Sequence, residues 1–113
     1  MKTKQSGYIE KKLNGKTIGI KFGTNAFALL CEKHGIELTE VDTVLNDVVG
    51  VRDLIFCAAK AASLSKGDEV WFNEYMIGDW LDDMTQKDYD DIISTIDNAK
   101  VLGNLVNAEE KKV

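Results

Sequence analysis

The sequence predicts a mostly α fold with a small β component (α+β): a helical bundle around one central apolar helix, with an N-terminal β-hairpin. Three observations lead there. The stretch Val51 to Ala62, VRDLIFCAAKAA, is interrupted by charge only at Arg52, Asp53 and Lys60. A helix apolar on nearly all sides must be surrounded by protein or lipid. The chain contains no proline, which favours helices joined by short connections over long turn-rich ones. Asn14-Gly15 stands between two short runs of largely alternating apolar and polar residues, the dipeptide that best tolerates the two positive φ angles of a type I′ turn.

Each element follows in order. Residues 7 to 22 read as the hairpin, with Tyr8, then Ile18, Ile20 and Phe22 on the return, as the apolar positions of the alternation and Lys16 and Lys21 facing water. An isolated hairpin is marginal in water, so it must lie on an apolar neighbour. Thr24 or Asn25 is expected to cap a first helix carrying Ala26, Phe27, Leu29, Leu30 and Cys31, and Gly35 after His34 suits a left-handed C-cap. Thr39 in T-E-V-D is expected to start a short helix with Val41, Val44 and Leu45. The central helix is expected from Asp47 to Leu64, with Asp53 and Lys60 on one narrow stripe. Its alanines at 58, 59, 61 and 62 let neighbours approach closely. A fourth helix is expected after Asn73, to about Asp83. A fifth, capped by Thr85 with Asp88, is expected to run from Gln86 to Val106.

Length and charge bound the function. At 113 residues the chain is one domain, expected at 7–106, with a flexible N-terminus at 1–6 and a charged tail at 107–113. Net charge is -5, which disfavours nucleic acid and anionic membrane surfaces as partners. The apolar run Leu54 to Ala59 is far shorter than the ~20 residues of a membrane span. MKTKQSGY has lysines but no apolar run behind them, so it does not read as a secretory signal. Two cysteines without such a signal suggest a reducing cytoplasm and free thiols.

No catalytic constellation is expected, and no cofactor or metal. Cys31 and His34 share a helix, but a structural zinc needs four ligands, and the chain has one further cysteine, Cys57, and no second histidine. His34 reads as a helix-end residue near the negative dipole end. Asp79, Asp82, Asp83, Asp88, Asp90 and Asp91 lack the glycine and terminal glutamate of a calcium loop, and read as a solvated acidic face. Phe72, Met76, Trp80 and Met84 step by four along one stripe, with Trp71 and Tyr75 beside them. These six residues are the candidate partner-binding positions, as core or as the wall of a groove for an apolar helix.

Several short strings then fall into a familiar order. Phe22-Gly23-Thr24-Asn25-Ala26 follows the hairpin, and Glu37-Leu38-Thr39-Glu40-Val41 comes next. Val51-Arg52-Asp53-Leu54 leads the central helix, and Ile77-Gly78-Asp79-Trp80-Leu81 precedes Tyr89-Asp90-Asp91-Ile92. Across roughly residues 8 to 100 this resembles the tail assembly chaperones of long-tailed bacteriophages and prophages. The hairpin is more sharply defined than in many members, and the tail is short. The resemblance implies a non-enzymatic chaperone that keeps the tape measure protein soluble in the cytoplasm of the bacterial host and is absent from the mature virion. It also admits the tail tube protein and a second copy of the chain as partners. The competing expectation is a structural tail-completion or connector subunit, using the hairpin's free edge.

Overall fold

A computed structural model of the chain describes residues 7–99 and 101. The expected end of the last helix at 102–106, the N-terminal segment 1–6 and the tail 107–113 lie outside those residues. The described fold is mostly helical with a two-stranded antiparallel hairpin.

Strands β1 (Tyr8–Leu13) and β2 (Lys16–Lys21) pair antiparallel with Leu13 opposite Lys16. The turn between them has φ of 53° at Asn14 and 82° at Gly15, the two left-handed residues that a type I′ connection requires. Alternation then sorts the side chains. Leu13, Ile18, Ile20 and the following Phe22 are buried on one face, while Glu10, Lys12, Thr17 and Lys21 are exposed on the other.

Helix α1 (Thr24–His34) ends at Gly35, which is left-handed at φ 64°. Its N-cap is Gly23, with no side-chain capping bond, where Thr24 or Asn25 was the sequence expectation. A 3-10 turn (Leu38–Glu40) leads into the short α2 (Val41–Val44). The capping box here is Glu37 with Glu40, two residues before the expected Thr39. Helix α3 (Val48–Lys66) is the centre, packing against α1, β2, α4 and α2. Gly50 lets α3 start close to α2: a Cβ there would stand 1.9 Å from the Val44 carbonyl oxygen.

Helix α4 (Glu74–Asp82) is capped by the Asn73 side chain, which accepts from the Met76 amide. Helix α5 (Gln86–Asp97) opens with the reciprocal Thr85–Asp88 box. It packs on β1 and ends at Asp97, shorter than the sequence expectation.

Two expectations about the central helix need correction. Asp53 is 2% exposed and does not share a solvent stripe with Lys60. Val51, placed inside the apolar stretch, is 41% exposed. The buried stretch of α3 runs from Asp53 to Ala62, broken only by the half-buried Lys60. For Asp53 the cause is its pairing with His34 of α1 and with Arg52; for Val51 it is length. Nineteen residues at about 1.5 Å each give a rod of about 28 Å. The eleven residues of α1 give about 16 Å. The shorter neighbour cannot cover the longer helix from end to end.

Candidate functional site

The six aromatic and methionine positions do not form one helical stripe. Only Tyr75, Met76 and Trp80 lie within α4; Trp71 and Phe72 precede its cap, and Met84 follows its end. Phe72 is core: it is 5% exposed and meets Phe56 edge-on at 6.0 Å between ring centroids. It sits just before the Asn73 cap, four residues ahead of Met76, and Ile77 at the fourth helical position is fully buried. That is the arrangement of a hydrophobic staple, which fixes how the chain enters a helix. Met76, Trp80 and Met84 are half-buried and pack against the core. Trp71 and Tyr75 face outward. Lys16 Nζ stands 4.8 Å from the Trp71 ring centroid, and the Arg52 guanidinium 5.4 Å from that of Tyr75.

Tyr75 belongs to a patch that the sequence reading did not find. It is 74% exposed, and across Arg52 from it lie Val48 at 84% and Val49 at 49%. These valines stand four and three residues before Arg52, hence beside it on the helix surface. Helical periodicity alone suggested burial for such a run; the overhang of α3 leaves it outside.

At the other end of α3 a groove of about 340 Å³ runs between α1 and α3. Ala28 and Leu29 form one wall, Ala61 and Leu64 the other, with Asn25, Glu32 and Ser65 at the rim. Leu64 is 54% exposed. The small alanines keep the walls low, a shape suited to an apolar side chain presented by a partner helix.

Between these surfaces lies an ion cluster. The Asp53 carboxylate receives a bond from His34 Nε2 at 2.9 Å, and two from Arg52, Nη2 at 3.0 Å and Nε at 3.1 Å. His34 therefore ties the end of α1 to the N-terminal third of α3, a role the sequence reading did not assign it. The same carboxylate holds Arg52 where its guanidinium covers Tyr75. Nearby, Lys33 pairs with Glu74 of α4. That bond holds the Glu74 carboxyl below its ordinary value and the lysine above its own. Cys57 is 2% exposed, and burial, then the Asp53 charge, pushes its thiol up to about 11. A thiol so raised is a packing group rather than a nucleophile.

The acidic run is also divided by the fold. Asp88 and Asp91 are half-buried and share Lys11 Nζ at 2.8 and 2.9 Å, which pins α5 to β1. Asp79, Asp82, Asp83 and Asp90 are exposed. Among the described residues no three His, Cys, Asp or Glu side chains converge as a metal set. No helix of those residues is long and apolar enough to cross a membrane. No family model matches the sequence, and no curated protein or solved structure matches it.

Proposed function

We propose that the chain is a tail assembly chaperone of a long-tailed bacteriophage or prophage, binding the tape measure protein without catalysis. The observation that carries this reading is the apolar surface at both ends of α3. Val48, Val49 and Tyr75 stand at one end, and the 340 Å³ groove with Leu64 at the other. A long, aggregation-prone helical client exposes an apolar stripe. Two apolar stations on one helix would shield successive parts of it. The net charge of -5 would keep the complex soluble. Of the six candidate positions, Trp71 and Tyr75 are the outward ones, and Met76, Trp80 and Met84 supply a second rank behind them. The chaperone would act in the cytoplasm of the bacterial host and be absent from the mature virion.

Co-expression tests it. With this chain present, the tape measure protein should stay in the soluble fraction and co-elute with it. Equal solubility with and without the chain, and no co-elution, would end the proposal. The second reading, a structural tail-completion or connector subunit, draws on the open edge of the hairpin. Mass spectrometry of purified particles separates the two, since a structural subunit is present in stoichiometric amount.

A further inference from the structure

The outer edge of β2 is a ladder with half its rungs free. Leu13 and Lys16 flank a two-residue turn, so they are a hydrogen-bonded pair, and bonding then alternates along the strands. The bond from the Phe22 amide to the Gly7 carbonyl, 2.7 Å, fixes the phase. Thr17, Gly19 and Lys21 therefore turn their N–H and C=O groups away from β1, and among the described residues no backbone bond reaches them. Beside this edge runs a groove of about 270 Å³, lined by Thr17, Ile18 and Gly19 and, opposite, by Ala62, Lys66 and Trp71.

We infer that this edge docks an extended segment of another protein as a third strand, one in which acidic and apolar residues alternate. The backbone groups demand an extended partner, because only a strand presents complementary donors and acceptors at this spacing. Charge selects the rest. Residues 7–22 hold Lys11, Lys12, Lys16 and Lys21 against one acid, Glu10, in a chain of net charge -5. Lys11 is already engaged by Asp88 and Asp91. Lys12 and Lys21 are exposed on the outer face of the hairpin, where an added strand would place every second side chain. Its remaining side chains would lie on the face of Ile18, which the apolar ones suit. A second copy of this chain fits poorly: paired about Gly19, the register that sets outward residues opposite one another, it would bring a second lysine-rich hairpin rather than acids to this edge. Asp68 and Glu69 also line the groove, so a lysine-bearing strand is the alternative to be separated. The inference stands whether or not the apolar surfaces of α3 hold the tape measure protein.

The probes are two short synthetic peptides, one alternating valine and glutamate, the other valine and lysine, added to the isotope-labelled full chain. Amide exchange is read residue by residue. With the glutamate peptide at about ten times its dissociation constant, exchange at Gly19 and Lys21 should slow roughly tenfold. The lysine peptide should change nothing. Thr17→Pro removes one outward donor while leaving the ladder to β1 whole, and should weaken binding. Lys21→Glu, an exposed change that leaves the fold intact, should abolish it. No slowing at any β2 amide up to the peptide's solubility limit overturns the inference. So does equal slowing by both peptides, or full binding to the Lys21→Glu variant.

Discussion

Replacing His34 and Arg52 together by alanine would strand the carboxylate of Asp53. It is 2% exposed, and its described partners are those two side chains. Each single replacement leaves one partner in place, so each should cost about 1.5 kcal/mol, the low end for a hydrogen bond to a charged group. The double replacement leaves a buried charge without compensation, and should cost about 3–5 kcal/mol. Asp53→Ala alone is gentler. The His34 and Arg52 side chains are 22% and 26% exposed and can turn to water. Adding Asp53→Ala to the double variant should therefore restore stability, although it removes a third residue from the cluster. The assay is urea unfolding followed by circular dichroism, with melting as a check at about 4–8 °C per kcal/mol in a domain near this size. A double variant no worse than either single, or a triple variant worse than the double, would refute the account of Asp53 as a buried charge held by two neighbours.

Other outcomes follow from the same geometry. The Asp88 and Asp91 carboxyls lie below their ordinary value of 3.8, chiefly through the Lys11 bonds. A depressed folded value means stability that is present above the unfolded value and lost as pH falls through the folded one. Protection of the α5 amides, measured against the intrinsic exchange rate at each pH, should accordingly fall as pH drops below about 4, and Lys11→Met should remove most of that acid response. Cys57 should resist a thiol reagent in the native state and react only on unfolding, whereas Cys31 is half-buried and labels first; prompt reaction of both thiols would contradict the packing. Leu54→Ala, at a side chain 2% exposed, should cost about 2–5 kcal/mol in urea unfolding. Trp80→Ala separates core from surface in the aromatic set: a large loss of melting temperature assigns it to the core, and a normal melt with lost client binding assigns it to the interface.

Local chemistry was legible in the sequence wherever one element carries its own instructions. Asn14-Gly15 states its turn because few other pairs tolerate two positive φ angles. Thr85 with Asp88 and Asn73 ahead of Met76 state their helix starts, because the acceptor and the amide it serves are three residues apart. What stayed hidden is set by distance along the chain. A lone aspartate in a helix reads as a solvent mark, and Asp53 becomes a core residue only because His34, nineteen positions away, arrives at the end of another helix. Lys11 reads as one more hairpin lysine until α5, some eighty positions on, brings Asp91 to it. The stripe from Phe72 to Met84 failed differently. A step of four presumes one continuous helix, and the caps at Asn73 and Asp83 cut that helix shorter than the stripe.

The exposed valines show why burial and interface are hard to tell apart in a sequence such as this one. Val48, Val49 and Val51 share the aliphatic composition of the buried stretch that follows them, and only Arg52 and Asp53 stand between the two. What divides them is how far the neighbours reach. Helix α1 ends at His34, where the bond to Asp53 holds it, and α3 continues beyond that point toward its own N-terminus for another turn and a half, roughly five residues at about 3.6 per turn. The ion cluster thus marks the place where the core stops. An apolar overhang is a cost to an isolated monomer, since it leaves large aliphatic side chains in water. Held rigidly by a helix whose middle is locked in the core, it can meet a partner without first being ordered, which spares the entropy that a flexible binding segment would lose. The same residues, moved to a loop, would bind more weakly for equal area.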